Sequence, residues 1–365
     1  MTNLDENNTF PLDQIYFYLT EGCNLACRHC WLAPKFDADG THYPTLPVEL
    51  FETAIREARP LGLTGVKLTG GEPLLHPEFL TLLEIIRQEG LELTIETNGV
   101  LCSPEIASEI AKHPDCFVSV SIDGTDAETH DRIRGVSGAF NRAQQAVRNL
   151  VAVDTHPQII MSVLRSSARQ VDDMVHMAEQ LGASSVKFNV IQPVARGRKL
   201  QETAATLTIE ELIELGRHVE MALAPTTNLR LVFDYPPAFR PLSCIASSNG
   251  CDTCGILGIL GVIAGGQYAL CGIGKHVSQL VFGEVGKDRL ETVWQENQML
   301  KAIREGLPDH LGGICARCLM KHQCKGACIA QNYYCTGSLW SPFWFCEVAE
   351  KEGLFPETRL VEVAA

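Results

Sequence analysis

Long hydrophobic runs are missing from this chain of 365 residues. No stretch of about eighteen apolar residues occurs, which excludes a membrane-spanning helix; the longest candidate, residues 255–264, is short and broken by glycine. An export signal is missing as well, because residues 1–10 are polar and acidic where a signal would be basic and then apolar. Positive charge is scarce: 30 Lys and Arg stand against 44 Asp and Glu, a net charge of −14. A phosphate-binding surface needs clustered cations, so no nucleic-acid partner is expected, and no membrane either. Aromatic residues are only 7% of the chain. What remains is the composition of a globular enzyme, long enough for one large domain and a smaller one.

Cysteine, by contrast, is abundant. There are fifteen: three near the N-terminus, two isolated, and ten between Cys244 and Cys346. For a cytoplasmic chain, where thiols stay reduced, so many cysteines point to metal rather than to disulfides. The first group, Cys23, Cys27 and Cys30, forms a C-x3-C-x2-C array directly after the apolar run 15–19. Three thiolates in so tight a loop must curl around one point. Structural zinc usually takes four protein ligands, and a catalytic zinc more often recruits His. A four-iron cluster on three cysteines leaves one iron open to a small molecule. A zinc knuckle with a distant fourth ligand is the alternative on spacing alone.

From residue 14 to about 234, β-rich runs alternate with amphipathic helical patterns, the mark of βα units and a parallel sheet. Strands are expected at 15–19, 66–69, 93–97, 117–122, 158–164, 185–190 and 229–233. Helices are expected at 47–58, 77–89, 104–112, 139–153, 168–181 and 209–222, three of them with proline near the first turn. The polar signatures fall on strand ends, where an α/β barrel carries its site. They are Gly70-Gly71-Glu72-Pro73, with glycines that let backbone approach a ligand and an acid beside them, then Thr97-Asn98-Gly99, Ser121-Ile122-Asp123 and Lys187-Phe188-Asn189. Asp123 either serves the site or caps the next helix. Arg134 either meets a carboxylate or forms a surface ion pair, and residues 192–198 read as a basic loop in which Arg196 and Arg198 meet solvent or an acidic segment.

Prolines 236, 237 and 241 mark a linker, beyond which the cysteines follow a plan. Cys254 precedes a hairpin expected over 262–270 that closes in Gly266-x4-Cys271. Cys315-x2-Cys318-x5-Cys324-x3-Cys328 follows, and then Cys346 within the aromatic stretch Trp340-Ser341-Pro342-Phe343-Trp344-Phe345.

Together these motifs resemble the radical SAM superfamily with a C-terminal SPASM domain, and in particular the maturases of ribosomally synthesised peptides. The resemblance implies a partial (β/α)6 TIM-like barrel over residues 1–238 and a cysteine-rich domain over 239–365. It implies S-adenosylmethionine and three [4Fe-4S] clusters, one binding SAM on Cys23, Cys27 and Cys30 and two auxiliary. Gly70, Gly71 and Glu72 would bind the SAM ammonium group, Ser121 and Asp123 its ribose or carboxylate, and Arg134 its carboxylate. The aromatic residue usual before the third cysteine is here His29. Cys315, Cys318, Cys324 and Cys346 would hold the outer cluster. Cys328 would join Cys254 and Cys271 on the inner one, with Cys251 or Cys244 as fourth ligand.

The activity implied is hydrogen abstraction from a precursor peptide by a 5′-deoxyadenosyl radical, followed by cross-linking or backbone splicing. Peptide epimerisation, formylglycine-type oxidation, tailoring of a haem-like precursor and plain electron carriage are the alternatives. Formylglycine formation is demoted by Gly272, which stands where the sulfatase maturases carry Asp. Partners implied are a precursor peptide, a reductant such as flavodoxin or ferredoxin, and a separate leader-binding protein, since no binding extension precedes the first strand. Cys102, Cys116 and Cys335 have no assigned role.

Overall fold

The computed structural model describes residues 10–37, 42–246 and 254–361. Its frame is one ten-stranded sheet. Strands β1 (Gln14–Tyr18), β2 (Gly65–Thr69), β3 (Glu92–Thr97), β4 (Cys116–Ser121), β5 (Gln158–Val163), β6 (Ser185–Val190) and β7 (Arg230–Asp234) lie side by side in chain order. Every neighbouring pair among them is parallel. The crossovers carry helices α1 (Val48–Ala58), α2 (Phe79–Gln88), α3 (Pro104–Ile110), α4 (Ala127–Arg134), α5 (Ala139–Val151), α6 (Val171–Leu181), α7 (Arg196–Glu202) and α8 (Ile209–Arg217). The fold is α/β on a parallel sheet, and all seven expected strands are present within a residue or two of their expected ends.

Alternation along the strands splits the sheet into two faces. Ile15, Phe17, Val66, Leu68, Leu93, Ile95, Val118, Val120, Val186 and Phe188 are buried in the main core under the helices. The opposite face carries Tyr16, Lys67, Glu96 and Lys187. Lys187 lies three strands from Glu96, yet with Lys67 it helps hold the Glu96 carboxyl below its usual range against the upward push of burial.

Local structure differs from expectation at instructive places. Only Pro104 sits inside a first turn; Pro47 is an N-cap and Pro77 precedes its helix by two residues. Helix 209–222 divides into α8, held by a Thr208–Glu211 capping box, and a wider turn over His218–Leu223. The expected basic loop at 192–198 is half helix, since α7 begins at Arg196. Helix α4, where no helix was expected, is capped by Asp126 and ends at Gly135 in the left-handed region.

The last third does not stand apart from the sheet. Strand β8 (Ile259–Val262) pairs parallel with β1, and β9 (Gln267–Ala269) and β10 (Val281–Glu284) continue antiparallel from it. The turn of the β8–β9 hairpin needs Gly266, whose φ is +82°. Nor are the linker prolines exposed: residues 235–239 are buried, and Phe239 stacks edge-on with Phe345 and Phe355, 5.1 and 5.4 Å away. No helix of the described residues is long and apolar enough to cross a membrane.

Candidate active site

β1 runs directly into the cysteine loop, which is stitched to three neighbours. Gly71 N–H donates to Thr20 O at 2.8 Å and Glu72 N–H to Gly22 O at 2.9 Å. A Cβ on Gly71 would lie 1.8 Å from Gly22 O. The close approach Gly71 permits is to the cysteine loop's own backbone, and Gly70 and Gly71 also line a small cavity with Tyr18 and Thr20. On the far side, Ala26 and Arg28 N–H donate to Arg134 O and Ile133 O, each at 3.0 Å. Arg196, expected to be free for solvent or substrate, instead donates to Cys27 O at 3.1 Å and Pro34 O at 2.9 Å. It clamps the loop.

Cys23 and Cys27 are buried with Leu25 and Ala139 in a small apolar cluster separate from the main core, and Cys30 packs at its edge. Burial raises the Cys27 thiol to about 11, with Arg134 pulling it down and Cys30 and Asp123 adding to the rise. Cys23 is raised further, first by burial and then by Glu72 and the other two thiols. Such thiols keep their protons until a cation replaces them. Hydrogen-bond donors already point at the sulfurs: Leu25 N–H at 3.4 Å and Asn98 Nδ2 at 3.8 Å on Cys23, Arg134 Nη1 at 3.7 Å on Cys27. Among the described residues, no three His, Cys, Asp or Glu converge on a volume suited to one metal ion. Three mutually coupled thiols with N–H donors on their sulfurs fit an iron–sulfur cluster better than a lone zinc.

Glu72 is 1% exposed. Its carboxylate accepts from Thr97 Oγ1 at 2.6 Å, Asn98 N at 2.9 Å and Leu74 N at 3.2 Å. Burial nevertheless pushes it up to about 7, against those donors. Asn98 also donates to Asn24 Oδ1 at 2.7 Å. Thr97 and Asn98 thus bind the second strand end to the cysteine loop, a role that the bare motif at the end of β3 did not reveal.

Asp123 is fully buried and does not cap a helix; Asp126 does that. Asp123 Oδ2 pairs with Arg134 Nε at 2.6 Å, and Oδ1 accepts Ser162 N–H at 2.8 Å. Although burial pushes the carboxyl up, Arg134, His29 and His130 hold it below its usual range. The pair is buried on both sides, so Arg134 is no surface ion pair. His29 Nε2 lies 3.7 Å from Asp123 Oδ2, and burial holds its imidazole down to about 4. His130, on which sequence reasoning was silent, accepts Asp123 N–H at Nδ1, 3.1 Å away. Ser121 closes β4 half-buried beside this group. Near the end of β6, Asn189 Oδ1 is buried without a hydrogen-bond partner among the described residues.

The C-terminal cysteines gather in two groups. Cys315, Cys318, Cys324 and Cys346 line one narrow cavity with Leu311 and Phe355. The Cys315 and Cys346 thiols are hydrogen-bonded to each other, and burial pushes Cys324 up to about 12. In the second group, Cys328 is pushed well up, first by burial and then by Cys254 and Cys271 beside it. Of the two choices for a fourth member, Cys251 lies outside the described residues, while Cys244 is half-buried in the short helix Leu242–Ala246. Cys102 is buried in the core. Cys335 donates to Pro193 O. His276 Nε2, 2.9 Å from Trp31 O, ties this third of the chain to the cysteine loop.

Residues 17–178 match the profile of the Radical SAM superfamily. The chain is 28% identical over 349 residues to an AdoMet-dependent heme synthase of Methanosarcina barkeri, covering 91% of this chain and 95% of that protein. It is 28% identical over 326 residues to the mycofactocin maturase MftC of Mycobacterium ulcerans, covering 87% and 82%. Its fold is similar to that of Streptococcus suis SuiB bound to the precursor peptide SuiA, with TM-score 0.73 at 18% identity over 93% of this chain and 76% of that one.

Proposed function

We propose, from the match of residues 17–178 to the Radical SAM superfamily profile, that this chain is a SAM-cleaving maturase of a precursor peptide. When bound on Cys23, Cys27 and Cys30, a [4Fe-4S] cluster supplies an open iron for SAM and the electron that cleaves its sulfonium. The residues around it have separate tasks. Glu72 places a carboxylate where burial makes ionisation costly, and an ammonium group beside it would offset that cost. Asp123 and Arg134 neutralise each other and set the Arg134 guanidinium against Cys27. Arg196 and the Gly71 contact keep the loop in register. An electron carrier without substrate would have no use for the Glu72 frame.

In this reading, residues 1–238 make the radical and 239–365 hold two auxiliary clusters. Cys315, Cys318, Cys324 and Cys346 hold the outer one. Cys254, Cys271 and Cys328 hold the inner one with Cys251 or Cys244. The gathering of four thiols around one cavity behind a three-thiol loop carries the proposal, and the mycofactocin maturase relative supports a peptide as substrate. The enzyme works in the cytoplasm with a flavodoxin or ferredoxin as reductant and a separate protein to present the leader. A formylglycine role has a steric obstacle: a Cβ on Gly272 would lie 2.4 Å from the Tyr18 ring, so an acid there has no room.

A haem-like precursor is the second reading, because the heme synthase relative is matched over nearly its whole length. Anaerobic coexpression with a short precursor encoded beside this gene separates the two. Loss of two hydrogens from the peptide supports cross-linking, and loss of a residue-sized fragment supports splicing. Unchanged peptide together with a new porphyrin absorbance transfers the function to the small molecule.

A further inference from the structure

A basic face lies over the cysteine loop of this otherwise acidic chain. Arg28, between Cys27 and Cys30, is exposed although Cys27 beside it is buried and Cys30 half-buried. With Arg132 and Arg165 it rims a groove of about 380 Å3 floored by Ile133, Leu164 and Leu200. A second groove of about 380 Å3 adjoins it, sharing Arg28 and Leu200 and adding Arg196 and Lys199. The floor is an apolar cluster of its own, Ile133, Leu164, Ile191 and Leu200, separate from the main core. Arg165 is paired with Glu211 and Arg196 is occupied by the loop carbonyls. Arg28, Arg132 and Lys199 have no ion-pair partner among the described residues. Nearby acids are few: Asp131 accepts Gly138 and Phe140 N–H, leaving Glu128 beside Arg132.

The two sides of the loop are unlike. Glu72, Asn98 and Asn24 meet it at Cys23, whereas Arg134 and Arg196 meet it at Cys27, and of these Arg196 lines a groove with Arg28. A substrate has to reach the radical, on the side of Glu72. A reductant has only to come close to the metal, and no residue lining the grooves is a partner of the Glu72 carboxylate.

We infer that the grooves rimmed by Arg28, Arg132 and Lys199 dock an acidic electron-transfer protein of the flavodoxin class. This rests on the SAM-cleaving reading above and adds the place where the electron enters. One electron leaves the reduced donor; SAM accepts it and separates into methionine and the 5′-deoxyadenosyl radical, so donor oxidation and sulfonium reduction balance. Cations over an apolar floor complement an acidic rim around an exposed redox centre, and such pairing acts chiefly on encounter.

The test uses reconstituted holoenzyme carrying both Arg132→Glu and Lys199→Glu, with 5′-deoxyadenosine as readout. Two reductants are compared: flavodoxin kept reduced by its NADPH-dependent reductase, and dithionite. The expected result is a fall of at least about ten-fold with flavodoxin and no change with dithionite. The wild-type flavodoxin rate should also decline as salt rises, and the dithionite rate should not. Equal flavodoxin-supported rates in variant and wild type overturn the proposal. So does a parallel loss with dithionite, which would assign these residues to integrity of the site. An intact flavodoxin rate with loss of peptide modification also overturns it and gives the groove to the precursor. Wild-type enzyme that forms no 5′-deoxyadenosine even with dithionite sinks the SAM-cleaving reading, and the docking proposal with it.

Discussion

The two cysteine-rich regions hold their thiols in opposite surroundings. At the N-terminal loop, Cys23 and Cys27 sit in a small island apart from the main core, in a frame of polar groups: Asn98, Arg134, Asp123 and Glu72. In the last third, Cys315, Cys318 and Cys346 are members of the main core itself, and their cavity is walled by Leu311 and Phe355. Donors and charges around a sulfur tune a centre that must change charge and admit a ligand, whereas an apolar shell suits one that stays closed. The same difference separates folding from chemistry. Emptying the island should leave the core intact; emptying the outer group removes part of the core.

The largest effect should come from Cys23→Ala, Cys27→Ala or Cys30→Ala. Each is expected to abolish 5′-deoxyadenosine formation while the thermal midpoint of the apoprotein barely moves. A large drop in that midpoint would break the comparison. Next comes Cys346→Ala, which should cost the apoprotein roughly 1–3 kcal/mol as a buried truncation in the main core. In the holoenzyme it should reduce substrate turnover more than SAM cleavage. Equal loss of both would make the C-terminal thiols structural for the whole chain.

Asp123→Asn tests the polar frame alone. It leaves Arg134 buried without its counter-charge, and unfolding should show a loss of about 3–5 kcal/mol. A loss below about 1 kcal/mol would mean that water reaches the guanidinium.

The smallest effect is in the pH dependence. Burial holds His130 down to about 4, while the unfolded chain takes up that proton near the ordinary 6.5. Between these values the unfolded state binds more protons at this site, so the contribution of His130 to stability falls as pH drops from about 6.5 to 4. His130→Asn keeps an acceptor for Asp123 N–H without titrating there, and should flatten that part of the melting profile. An unchanged slope would place its origin elsewhere.

Much of the frame was readable in the sequence because strand and helix periods report burial directly. The seven strands and most helices stand where the pattern put them, and the family resemblance grouped Cys315, Cys318, Cys324 and Cys346, four thiols that do share a cavity. Where the reading missed, the cause was contact between distant segments. The Arg196 guanidinium bonds to Cys27 and Pro34, more than 160 positions away. Nothing local to residues 192–198 could show that. At Gly71 a glycine pair permits any close approach, and only the folded chain shows that the Gly22 backbone is one of its close neighbours. The composition break at 236–241 suggested a linker, yet Pro236 and Pro237 are buried and Phe239 beside them packs against Phe345 and Phe355.

The sequence by itself determined the alternation of strand and helix, the ligand type and the spacing of the thiols, since these depend on neighbours along the chain. Only the tertiary structure decided that β8 joins β1, that Asp123 turns inward to Arg134, and that Arg28, Arg132 and Lys199 form one face. Charge pairing and close packing act through space over a few ångströms, and separation along the chain does not record them.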